Sequence, residues 1–95
     1  MYNRPRALGD LLDDLLQKYG IGERVKEFEA VSKWAEIVGE PIARHTCAKD
    51  VRDGKLIVEV SGSVWRNELF YMKAALIEQI NARIGKKIIH DILFV

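Results

Sequence analysis

Cysteine is almost missing from this chain: Cys47 is the only one among 95 residues. No disulfide can close within the sequence, and no cluster of cysteines can hold zinc, so a reducing compartment is the expectation. Long apolar runs are missing too. Nothing approaches the roughly 20 apolar residues of a membrane span. The opening "MYNRPRALGD" lacks the apolar segment of a signal peptide, which makes the cytoplasm the expected location. There is no excess of one charge, the net value being +1, so bulk charge does not announce a nucleic-acid binder. No phosphate-binding Walker loop and no dinucleotide fingerprint occur. The one Gly-x-Gly, in "GIGERV" (20–25), follows a helical pattern rather than a strand and reads as a helix–helix turn.

What is present is an ordinary globular composition, 48% hydrophobic and 31% charged. A chain of this length is expected to form one domain, residues 7–95, after a flexible N-terminal arm at 1–6. Charge is unevenly spread. Residues 1–40 hold six Lys/Arg against eight Asp/Glu, and residues 41–95 hold nine against six. The second part is therefore mildly basic.

Hydrophobic spacing predicts three helices. Leu8, Leu11, Leu12, Leu15, Leu16 and Tyr19 recur at helical intervals before Gly20. Val25, Phe28, Val31, Trp34, Ala35 and Val38 form a second stripe over 23–38, stopped by Gly39 and Pro41. Trp65, Leu69, Met72, Leu76, Ile80 and Ile84 predict one long helix over 64–84, with Gly85 as its stop. Between them, "TCAKDVRDGKLIVEVS" reads as a hairpin turning at Asp53-Gly54. Leu56, Val58 and Val60 alternate with polar residues in its second strand. "KKIIHDILFV" predicts a final strand. The order α-α-β-β-α-β implies an α+β fold, a small three-stranded mixed sheet packed with helices.

An enzyme needs a constellation of groups, and none is evident. His45 in a connector and His90 in the last strand read as structural or surface histidines. Cys47 reads as a small buried filler. Asp10, Asp13 and Asp14 suit the polar start of a helix. Trp34 and Trp65 read as core anchors. Arg66, Asn67 and Glu68 are expected to face out beside Trp65. No catalytic residue, metal ligand or cofactor is assigned. The remaining signal is basic. Lys49, Arg52 and Lys55 cluster around the hairpin turn, Arg44 precedes it, and Lys86 and Lys87 end the long helix. These cations could form a phosphate-binding strip if they converge. The alternative is a solvated surface with lysines guarding a strand edge.

"WAEIVGEPIARHT" (34–46), "DGKLIVEVSGSVWRNEL" (53–69) and "INARIGKKIIHDILFV" (80–95) together resemble the bacterial DciA family over nearly the whole chain. That resemblance implies a K-homology-like domain. It also implies a role in chromosome replication, binding DNA (single- or double-stranded) and the replicative helicase and helping to load it. Some longer members of the family are credited with a zinc ribbon, for which this chain has no cysteines. It also has no Gly-x-x-Gly loop of the kind by which a K-homology domain clamps a nucleic-acid backbone. The expectation is a non-enzymatic DNA-binding module, with Arg44, Lys49, Arg52, Lys55, Arg66, Lys86 and Lys87 as the contacting residues. The rival is a protein-interaction adaptor that leaves nucleic acid alone.

Overall fold

The computed structural model describes residues 21–95 together with Leu11, Asp14 and Lys18, which are helical. The arm expected at 1–6, and most of the leucine-rich helix expected after it, lie outside the described residues. Five helices and three strands follow in the order α1 (Ile21–Ser32), α2 (Trp34–Val38), α3 (Glu40–Ala43), β1 (Thr46–Arg52), β2 (Lys55–Val60), α4 (Ser63–Tyr71), α5 (Lys73–Ile84) and β3 (Asp91–Phe94). The strands form one mixed sheet in the order β1-β2-β3. β1 and β2 are antiparallel, whereas β2 and β3 are parallel. The α+β expectation is met.

The hairpin forms because its turn residues can adopt the backbone it needs. Asp53 and Gly54 both have positive φ, 52° and 76°. That is the signature of the tight turn whose twist matches paired strands. A Cβ on Gly54 would come within 2.6 Å of the His90 ring, so the close approach also demands glycine. On the β1 side a bulge shifts the register between Ala48 and Asp50. It explains why β1 looks mixed in sequence. Ala48 is partly buried and Val51 fully buried although they are three residues apart, because the extra residue changes which side chains face inward.

Leu56, Val58 and Val60 of β2, Val51 of β1 and Ile92 of β3 are buried in one cluster with Trp34, Leu69, Leu76, Ile80 and Ile89. Cys47, Lys55, Glu59 and Leu93, on alternate strand positions, are exposed. Cys47 is therefore not a buried filler. It pairs across the ladder with Glu59, on the face away from the core.

Both long helical patterns are interrupted. The 23–38 pattern breaks at Lys33, whose backbone (φ −101°, ψ 3°) separates α1 from α2. Trp34 then turns fully inward, and its indole Nε1 donates to Thr46 Oγ1 at 2.8 Å. Of the expected stripe only Trp34 is buried: Val31 and Val38 are half-buried, Phe28 is 69% exposed, and Val25 and Ala35 also face out, while Ala30, outside the stripe, is buried. The 64–84 pattern breaks at Met72, whose N–H donates to Leu69 O, three residues back rather than four. That tight turn changes the helical phase. Met72 is thereby thrown out to solvent with Phe70 and Tyr71, while Leu69, Leu76, Ile80 and Ile84 stay in the core.

The last strand is shorter than its sequence suggests. Residues 86–90 are irregular because the Asn81 side chain satisfies their backbone. Asn81 Oδ1 accepts from the N–H groups of Ile88 (3.1 Å) and Ile89 (2.9 Å), and its Nδ2 donates to Ile89 O (2.8 Å). His90 thus precedes β3, and its own N–H donates to Gly54 O at 2.8 Å.

Candidate nucleic-acid interface

The seven candidate cations divide by position along the hairpin. Arg52 and Lys55 face each other at the turn. Thr46 pairs with Val60 at the other end, five residues along β2, which at about 3.3 Å per residue is roughly 17 Å away. Arg44 and Arg66 belong to that second end. Arg44 precedes β1, and the Arg66 guanidinium donates to Val60 O at 3.2 Å. Lys49 stands at the bulge.

Helix α1 gathers further charge toward the turn. Arg24 donates to Val51 O at 3.0 Å and meets Asp50 at 3.5 Å, while Asp50 also holds Arg52 at 3.2 Å. The Val51 N–H bond and then Arg52 keep the Asp50 carboxyl below its ordinary range. The neighbouring Glu23 pairs with Lys86 at 3.5 Å, which ties the C-terminal end of α5 to α1. The structure therefore brings Arg52, Lys55 and Lys86 toward one end of the domain, with Lys87 next to Lys86 in sequence. Arg24 joins them there. Sequence reading missed Arg24, because a lone arginine on a helix gives no sign that it will reach across to a strand.

Several of these cations already have carboxylate neighbours. Arg44 meets Glu40 at 3.4 Å and Lys49 meets Glu59 at 4.0 Å, in addition to the pairs of Arg52 and Lys86. All are exposed pairs, the class that contributes only about 0–1 kcal/mol and exchanges readily. A phosphate can compete with such a carboxylate. Lys55, Lys87 and Arg66 have no ion pair within 4 Å among the described residues.

At the opposite end, residues from separate motifs meet. Thr46 Oγ1 accepts from Trp34 and donates to Ile42 O at 2.9 Å. The His45 ring stacks on Trp65, centroids 4.8 Å apart and planes 20° from parallel. His45 O accepts from the N–H and the hydroxyl of Ser61. This corrects the expectation for Trp65, which is half-buried with one face on His45 rather than enclosed. His45 acquires a partner that its sequence neighbourhood did not announce. Arg66, Asn67 and Glu68 face out as expected.

Among the described residues no group of three or more His, Cys, Asp or Glu side chains could hold a metal ion, and no helix is long and apolar enough to cross a membrane.

Comparison with known proteins bears on the whole constellation. The sequence pattern of the family described as "Dna[CI] antecedent, DciA" matches residues 7–94. The chain is 34% identical over 85 residues to a UPF0232 protein of Mycolicibacterium paratuberculosis, covering 90% of this chain and 47% of that protein. It is 29% identical over 86 residues to a UPF0232 protein of Corynebacterium glutamicum (90% and 48%) and 27% identical over 88 residues to one of Rhodococcus jostii (93% and 47%). The chain thus spans about half the length of the curated relatives it matches. With a family match across nearly its entire length, the chain belongs to the DciA family.

Proposed function

We propose that the chain is a non-enzymatic DNA-binding module that assists loading of the replicative helicase. The observation that carries this reading is the convergence of Arg52, Lys55, Lys86 and Arg24 about the hairpin turn in a member of this family. The contacts would be electrostatic and directed to phosphates, with little base reading. Arg44, Lys49 and Arg66 extend the surface away from the turn, and Lys87, without an ion pair among the described residues, adds an ammonium next to Lys86 in sequence. The K-homology likeness belongs to the same proposal. It is supported by the one mixed sheet with its core packed on a single face.

Fluorescence anisotropy with a dT oligonucleotide and with a duplex of equal length, across a salt series, tests it. Neutralising Z phosphates gives a slope of log K against log salt of about −0.7Z for a single strand and −0.9Z for a duplex. The charge-reversal triple variant Arg52→Glu, Lys55→Glu, Lys87→Glu should flatten that slope and abolish binding at moderate salt. A wild-type chain with no binding to either nucleic acid at low salt sinks the reading.

The adaptor reading is kept because of one feature: Ile21, Val25 and Phe28 form an exposed apolar stripe along α1. Co-purification with the replicative helicase in nuclease-treated samples, with DNA binding absent, would select it.

A further inference from the structure

The outer edge of β3 is an open ladder beside a groove. Val95 donates its N–H to Val58 O at 2.9 Å and accepts from Val60 N at 2.9 Å. In a parallel ladder alternate residues face the neighbouring strand. Residues 91, 93 and 95 therefore face β2, and Ile92 and Phe94 turn their peptide groups outward. The Ile92 N–H agrees with this, being taken by the Asp91 side chain at 2.8 Å. The Ile92 carbonyl and the Phe94 N–H and carbonyl have no partner among the described residues. Alongside them lies a groove of about 380 Å³ between α4 and β3. Phe70 on its wall is 60% exposed, Leu93 is exposed, and Lys73 Nζ sits 5.0 Å from the Phe70 ring centre. Arg66 and Asn67 complete the wall, and Arg66 has no carboxylate within 4 Å among the described residues.

We infer that this edge takes an extended peptide segment of a partner protein as a fourth strand. Two carbonyls two residues apart, Ile92 and Phe94, and one N–H between them, Phe94, left unpartnered among the described residues, fit a peptide backbone, and main-chain pairing is how strand addition gains affinity. The apolar wall of Phe70 and Leu93 selects an apolar side chain. The Arg66 guanidinium selects a carboxylate near it. The segment is thus extended, with an acidic residue close to an apolar one. The inference stands apart from nucleic-acid contact at the hairpin turn.

A phage library of 12-residue peptides selected on the immobilised full chain tests it, with Phe70→Glu and Leu93→Lys as comparison variants. Both side chains are exposed, and circular dichroism checks that the variants fold. Recovered peptides should combine acidic and apolar residues and protect the Phe94 amide from hydrogen exchange. They should lose at least tenfold in affinity for either variant. Recovery of no peptide, or of peptides indifferent to both variants, overturns the inference. So does a dT oligonucleotide that protects the same amide and displaces the peptides, which would give the groove to nucleic acid. The triple variant at the hairpin turn should bind the peptides unchanged. Loss of peptide binding there would merge the two surfaces and also count against the inference.

Discussion

Replacing Asn81 by alanine removes one side chain and three hydrogen bonds. Two backbone donors, Ile88 and Ile89 N–H, lose their shared acceptor, and Ile89 O loses a donor. The groups are partly buried, so water replaces the lost partners incompletely. A typical intramolecular hydrogen bond contributes about 0.5–1.5 kcal/mol net. Three of them on one side chain give an expected destabilisation of about 2–4 kcal/mol. The effect should spread, because Ile88 and Ile89 are both core residues held in register by this clamp. Urea unfolding followed by circular dichroism measures it: the midpoint should fall with the slope unchanged. At roughly 4–8 °C per kcal/mol for a domain of this size, the melting temperature should drop by about 10 °C or more. Asn81→Asp separates the two roles. It keeps an acceptor for the N–H pair but places a carboxylate oxygen against Ile89 O, and it should also destabilise. If Asn81→Ala costs under about 0.5 kcal/mol and leaves the Ile88 and Ile89 amides protected from exchange, the clamp is not what orders residues 86–90.

Gly54→Ala should destabilise by about 1–3 kcal/mol from positive φ and the approach to His90, and the penalty should shrink in a His90→Ala background. Thermal melts of the four proteins in that cycle check it. Trp34→Phe keeps the aromatic core but loses the donor to Thr46, costing about 1–3 kcal/mol, whereas Trp65→Ala should cost less than the 3–5 kcal/mol of a fully buried aromatic. Denaturant curves that rank Trp65→Ala above Trp34→Ala would contradict the burial described. Asp91 is held below the ordinary carboxylate range by Lys73 first and by the Ile92 N–H. A depressed carboxyl contributes stability present above its unfolded pKa and lost as pH falls through the folded one. Asp91→Asn should therefore show a shallower loss of stability than wild type below about pH 4, measured by urea midpoints across pH.

The sheet was legible where one residue pair dictates geometry. Asp53-Gly54 and the alternation Leu56, Val58, Val60 fix the hairpin and its inward face without help from the rest of the chain. The helices were legible as apolar patterns but not as single rods. Nothing in "VSKWA" or "FYMKA" is a helix breaker, and the breaks at Lys33 and Met72 arise where tertiary packing overrides a local preference. Trp34 must reach Thr46, and Leu69 must stay buried beside Leu76. The last strand misled for a related reason. "KKIIHDILFV" is rich in β-branched residues, but a side chain on α5 captures the backbone of Ile88 and Ile89 before a ladder can. Such a contact between α5 and an irregular stretch carries no periodic signature.

The candidate site shows what charge in a sequence can and cannot say. Arg52 and Lys55 are close because they flank one turn, and a hairpin keeps its flanks together, whereas Lys49 sits back along the strand at the bulge, beside Glu59. Joining Lys86 to them took a helix, α1, that sequence reading regarded only as an apolar stripe. Glu23 and Arg24, adjacent on that helix, reach Lys86 and Asp50, so α1 acts as the bridge between the hairpin and the end of α5. Such a bridge has a consequence for any ligand. A phosphate that draws Arg52 from Asp50 leaves that carboxylate to Arg24, and one that draws Lys86 releases Glu23. Binding at the turn would therefore re-pair two of the contacts that seat the start of α1, while Arg24 keeps its bond to Val51 O. The exposed stripe Ile21, Val25 and Phe28 lies on that same helix. An apolar partner surface for α1 and an anionic ligand at the turn would then act on one element, each altering the position from which the other is held.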